Sequence, residues 1–194
     1  MELAVLLVNA LTVTHVRGRR AEPSADRKTA LEAAFAEHGW TPRGAPAGGG
    51  TPNVPVVSPV VSPVVSPVVS AADADRLAGV AAELRPVFTG AADAIGTLNR
   101  ALVRHGAVPN LHGDPPILAF HAPGADLVDA WAADAATALA MVIGVGQGVR
   151  LRTCEAGGCE LVFFDVTRNA SRRFCGLSCQ NRAKASAYRA RRRP

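Results

Sequence analysis

The sequence predicts a mainly α protein: a helical N-terminal domain with a short β-hairpin, followed by a small C-terminal module organised around cysteines. Three observations lead there. Apolar residues recur at three- and four-residue spacing through most of the first 148 residues, the period of helices buried along one face. A stretch dominated by proline, glycine, valine and serine, residues 41–70, interrupts that pattern. All four cysteines fall between positions 154 and 179, just ahead of an arginine-rich end.

The elements follow in order. Leu3, Leu6, Leu7, Ala10 and Leu11 line one face of a first helix. Met1 to Leu11 is apolar enough to resemble a signal sequence, but it has no basic start, carries Glu2 and Asn9, and lacks a cleavage box, so it reads as a core helix. A second helix starts near Ser24 as N-cap and runs through Leu31 and Phe35 to Gly39. The segment from Pro42 to Gly50, then four copies of Pro-Val-Val-Ser from Pro55 to Ser70, has proline every fourth residue. Each proline removes a backbone donor and fixes φ, which leaves an extended or disordered insertion. Its glycines lack the Gly-Lys-Ser/Thr ending of a phosphate loop.

Helices resume at Ala71. One covers Leu77, Val80, Ala81, Leu84 and Val87; the next covers Ala94, Ile95, Leu98, Leu102 and Val103 and stops at Gly106. Val108 to His112 and Ile117 to His121 flank Gly113-Asp114-Pro115-Pro116, a pattern that suits a hairpin. A last helix of this domain, Asp126 to Ile143, buries Leu127, Trp131, Ala135, Leu139 and Val142, and Gly144, Gly146 and Gly148 then form a hinge between residues 1–148 and 149–194. No stretch reaches the ~20 apolar residues that span a bilayer.

At 194 residues the chain has room for one ordinary core and a satellite module, which excludes a large multidomain enzyme. Charge is segregated. Residues 150–194 hold eleven Lys or Arg against three acids, a net +8 in a chain that totals +5, so residues 1–149 carry −3. Such asymmetry points to nucleic acid, with a membrane surface or an acidic protein as weaker options.

The cysteines are spaced Cys154-x4-Cys159-x15-Cys175-x3-Cys179. Gly157 and Gly158 permit a knuckle that turns the first two sulfurs toward one metal, and Cys175 and Cys179 sit one turn apart on a helix whose positive end favours thiolates. Leu161 to Phe164 reads as a strand and Asp165 to Ser171 as a turn. Knuckle, hairpin and helix describe a treble-clef-like finger, and four thiolate ligands leave one Zn2+ no open position, so the metal is structural. Clustered thiols without an export signal favour metal in a reducing cytoplasm over disulfides. So small a module has little core, and its folding depends on the metal while the helical domain stands without it.

Past Cys179, Asn181, Ala185, Tyr188 and Arg192 form one helical stripe and Arg182, Ser186 and Arg189 its neighbour, with Lys184 and Arg191 widening the charged face and Arg172 and Arg173 preceding it. Arginines bind phosphate or guanine edges, Asn181 suits adenine and Tyr188 suits stacking. The plain alternative is a solvated basic tail.

Cys179-Gln180-Asn181-Arg182-Ala183-Lys184, with Asp165 to Asn169 and Ser171 to Cys175 upstream, resembles the bacterial CGNR zinc finger, with Gln180 where the motif has glycine. Leu7-Val8-Asn9-Ala10-Leu11, Leu84-Arg85 and Leu98-Asn99 resemble, more loosely, the ABATE domain that precedes this finger in a family of stress-induced transcription regulators. The resemblance implies a helical domain that senses a small-molecule effector and a finger that binds double-stranded DNA. Asn9, Arg17, Arg85 and Asn99 are the polar residues of that domain that would line an effector pocket. A homodimer would suit a helix that reads few base pairs. The rival reading is an RNA- or protein-interaction finger on a small-molecule-binding domain. An enzyme is the third: His15, His38, His105, His112 and His121 show no ligand spacing, although His112 and His121 face each other across the expected hairpin.

Overall fold

The structure, a computed structural model, describes residues 1–21, 26–38, 69–112 and 116–192. In chain order its elements are α1 (Glu2–Thr12), β1 (His15–Val16), β2 (Arg19–Arg20), α2 (Arg27–Glu37), α3 (Ala71–Thr89), α4 (Ala94–Arg104), β3 (Asn110–His112), β4 (Ile117–Ala119) and α5 (Leu127–Gly144). A 3-10 turn (Gly148–Arg150) leads into β5 (Leu151–Thr153), β6 (Val162–Phe164) and α6 (Leu177–Arg191). The chain is mainly α with small antiparallel hairpins and a C-terminal four-cysteine cluster, as the sequence predicts.

Helix α1 packs on α3 and α2, and α3 also meets α4 and α5. Leu7, Leu31, Leu77, Leu84 and Leu139 are fully buried at the centre, each contributing about 1.5–3 kcal/mol of transfer free energy. Small residues let the helices approach: Ala132, Ala135 and Ala136 are the buried side of α5, with Val128 and Leu139. By length and composition α5 is apolar enough to cross a bilayer, with mean hydropathy 1.4 over 18 residues, a stretch the sequence reading passed over. The same test is met by a core helix, and this one lays its alanine face into the bundle.

Local chemistry sets the helix ends. Ser70 and Asp73 make a reciprocal capping box at the start of α3, and Gly90 ends it in the left-handed region at φ 67°. Asp126 caps α5. The cap of α2 is Asp26, whose carboxylate accepts from Thr29 N at 2.8 Å; the expected Ser24 cap and the stop at Gly39 lie outside the described residues. So does most of the Pro-Val-Val-Ser segment, residues 41–68; of the remainder, Val69 is buried and Ser70 caps α3. On α4 the buried side is Ala94, Leu98 and Ala101, while Ile95 and Val103, which the spacing had placed on the same helix, are exposed. The β3–β4 hairpin pairs Asn110 with Ala119 and His112 with Ile117, the arrangement expected; residues 113–115 of its loop lie outside the described residues.

A second hairpin, β1–β2, was not foreseen. Arg17 and Gly18 turn it with φ of 53° and 84°, the two positive values of a type I′ turn. Glycine suits that turn, but an arginine at its first position and strands of two residues give almost no sequence signal.

The glycine-rich stretch after α5 is a helix stop and a 3-10 turn that feeds directly into β5. Leu151 of β5 and Val162 of β6 then join the same buried cluster as α1, α3 and α5. The core of the helical bundle therefore continues past residue 148.

Candidate metal centre and nucleic-acid interface

Strand β5 delivers Cys154, whose N–H donates to Leu161 O at 2.9 Å, and the chain turns through Ala156, Gly157 and Gly158 to Cys159. Gly158 has φ 67°, so the knuckle needs a glycine there. The other pair differs from the expectation of one helical face: Cys175 lies before the Gly176 N-cap, and only Cys179 is within α6, in its first turn. The four Sγ atoms all lie within 4.8 Å of one another. Cys159 to Cys175 is 3.8 Å and Cys175 to Cys179 is 3.6 Å. A tetrahedron with metal–sulfur bonds of about 2.3 Å has edges of about 3.8 Å, so the sulfurs are at ligand spacing.

Electrostatics make the same demand. Burial, then the neighbouring sulfurs of Cys179 and Cys154, push the Cys175 thiol far up, and burial also raises Cys179. Burial pushes Cys159 upward too, but the backbone N–H groups of Arg17 and Leu161 together with hydrogen bonds from Cys179 and Cys154 bring that thiol below its ordinary value. Four crowded sulfurs cannot all ionise without a cation among them. A Zn2+ ion supplies that charge, and with four sulfur ligands it keeps no position for substrate.

Residues 150–192 match the family model of the CGNR zinc finger. This segment is similar to a CGNR zinc finger, and its four cysteines are placed to hold one structural zinc. No curated protein matches the chain.

Around the four cysteines of this finger, a buried carboxylate organises the loop between β6 and Cys175. Asp165 accepts from Thr167 N at 2.8 Å, Thr167 Oγ1 at 2.6 Å and Arg172 N at 2.7 Å. Burial opposes its charge, yet these bonds and the Arg150 guanidinium hold its carboxyl below the usual range. Arg150 donates to the carbonyls of Asp165 and Thr167 at 2.9 and 2.6 Å. The sequence places Asp165 at the start of a turn and of the family-like stretch without giving its carboxylate a role, and a lone Arg150 carries no spacing signal.

The proposed nucleic-acid residues divide into two groups. Arg172 donates to the carbonyls of Phe174 and Cys175 and lies 4.9 Å over the Phe163 ring. Arg173 pairs with Glu155 at 2.6 Å. Arg182 donates to Gly157 O at 2.9 Å and lies 3.9 Å from Cys179 Sγ. These three brace the finger, and Arg182 also brings positive charge to the thiolate cluster. Asn181, Lys184, Tyr188, Arg189, Arg191 and Arg192 are exposed along α6, with Arg192 stacked 5.0 Å over Tyr188. Gln180, which replaces the motif glycine, sits in regular helix, where no positive φ is required.

Asn9, Arg17, Arg85 and Asn99 do not converge on a cleft. Asn9 pairs with both backbone groups of Val162, donating to its carbonyl at 2.9 Å and accepting from its N–H at 2.8 Å. Arg85 donates to Thr12 Oγ1 and to Glu160 O, at 2.9 and 3.2 Å. Arg17 is at the tip of the β1–β2 turn and Asn99 is exposed on α4. Asn9 and Arg85 grip the finger. A depression of about 380 Å³ instead lies on the finger itself, lined by Ser171, Arg173, Phe174, Leu177 and Gln180 among others. His112 and His121 do stack, at 4.6 Å between ring centroids, and His121 reaches Asp134 on α5 at 3.2 Å, which ties the β3–β4 hairpin to that helix.

Proposed function

We propose that the finger binds double-stranded DNA through α6 and that the chain is a cytoplasmic regulator of transcription. The observation that carries this reading is the exposure of α6: from Lys184 to Arg192 every residue is exposed, and four of those nine are Lys or Arg. A helix with no apolar stripe and, among the described residues, no protein partner along two turns gains little from the fold. A polyanion supplies both the charge and the surface it lacks.

In this reading the helical domain holds and orients the finger through Asn9 and Arg85. An effector that bound at those residues would break that grip, a route by which ligand sensing would reach the finger.

The test is the salt dependence of binding to duplex DNA. Each phosphate neutralised contributes about 0.9 to the slope of log affinity against log salt. Arg189→Ala with Arg191→Ala is expected to lower that slope by about 1.8 and to leave zinc content unchanged. Binding insensitive to salt would end the proposal, and structured RNA that outcompetes excess duplex DNA would move it to the RNA-binding alternative.

A further inference from the structure

The finger is not the only basic element on its face. Residues 1–149 carry a net −3, yet three of their ten Lys and Arg fall within four positions, at Arg17, Arg19 and Arg20. Those are the residues of the β1–β2 hairpin, and the hairpin is docked on the zinc knuckle. Gly18 N donates to Gly158 O at 2.8 Å, and Glu160 N donates to His15 O at 2.9 Å. The fit is close: a Cβ added at Gly18 would collide with the Arg182 guanidinium, and one at Gly158 would come within 3.3 Å of Gly18 Cα. The turn thus lies against the guanidinium that Arg182 extends from α6, with Arg17 and Arg19 flanking Gly18 in the chain.

All three arginines are exposed, and among the described residues no acid pairs with them. The acid bonded to this hairpin, Glu160, is already engaged by the N–H groups of Thr14 and His15 at 2.7 and 3.2 Å. We infer that the β1–β2 hairpin is a second arm of the nucleic-acid surface, contacting the phosphate backbone of the duplex that α6 engages. The inference rests on the DNA reading of α6 and extends it to residues outside the CGNR-like finger. Guanidinium groups suit phosphate because their planar fork donates in pairs, and an arm seated on the metal knuckle presents them from a backbone that is already ordered.

The experiment measures the salt slope of binding to a short mixed-sequence duplex for the full chain, Arg19→Ala/Arg20→Ala, and Arg19→Lys/Arg20→Lys. The alanine pair is expected to reduce the slope by about 1.8, with zinc content and circular dichroism unchanged, and the lysine pair to restore it. An alanine pair with the wild-type slope, while Arg189→Ala/Arg191→Ala still lowers it, overturns the role of the hairpin alone. A wild-type protein with no salt-dependent duplex binding brings down both readings.

Discussion

Asn9 acts toward Val162 as a neighbouring strand would, offering one donor and one acceptor to a backbone that, among the described residues, has no strand on that side. This is a two-bond joint between α1 and the finger's hairpin, made by residues 153 positions apart. Asn9→Ala leaves a part-buried N–H and C=O unpaired and is expected to cost ~2 kcal/mol, read as a lowered midpoint in denaturant. Asn9→Asp, the same size, is expected to be as harmful, because a carboxylate would face the Val162 carbonyl. If the aspartate variant were as stable as wild type, the amide pairing would not be what holds the joint. The sequence marked Asn9 as notable but assigned it to a ligand, since a polar residue on an apolar helix face reads the same whether it meets a small molecule or a backbone. Arg182 shows a related ambiguity: its stripe on α6 is cationic, and its guanidinium turns back to Gly157 and Cys179.

At the scale of elements, helix ends show how far local chemistry reaches. Asp126 accepts from Asp129 N at 2.9 Å and pairs with Arg76 of α3 at 2.9 Å, so one carboxylate both caps α5 and ties it to α3. The backbone bond from Asp129, then the Arg76 guanidinium, hold its pKa below the ordinary 3.8. A depressed carboxyl stabilises the fold above its unfolded pKa and loses that effect as pH falls through the folded value. Asp126→Ala is expected to cost ~1 kcal/mol at neutral pH. The difference from wild type should shrink below pH 3.8, as thermal unfolding across that range would reveal; a gap that grew on acidification would contradict the assignment. The helix starts at Ala71 and Asp126 are legible in the sequence, while the caps at Ser70 and Gly90 are seen only in the structure. Nor was the β1–β2 hairpin legible, whose two-residue strands exist because the zinc knuckle supplies Gly158 O and Glu160 N as their partners.

For the whole molecule, the consequence of the shared core is coupling between metal and bundle. Leu151 and Val162 belong to the finger by sequence and to the helical core by packing. The expectation that the finger unfolds alone therefore changes. Structural zinc in small modules contributes on the order of 10–16 kcal/mol of folding free energy, and its removal frees β5, β6 and the hairpin that docks on the knuckle. Chelation is expected to lower the helical circular dichroism signal by more than the 15 residues of α6 account for, and to lower the unfolding temperature of the remainder. A loss confined to the share of α6 would show that the bundle closes without β5 and β6.

Four cysteines at this spacing, the charge step near residue 150 and the helical period of the apolar residues are properties of the chain itself, because each depends on neighbours within a few turns. They determined the metal, the basic helix and the bundle. Only the tertiary structure decided which arginines brace the finger and which face outward, that Asn9 and Arg85 clasp the finger, and that an N-terminal hairpin sits on the zinc knuckle. Asn9 meets Val162 across 153 positions, Arg85 meets Glu160 across 75 and Arg182 meets Gly157 across 25, and nothing local in the sequence encodes which partner a hydrogen-bonding side chain will find there.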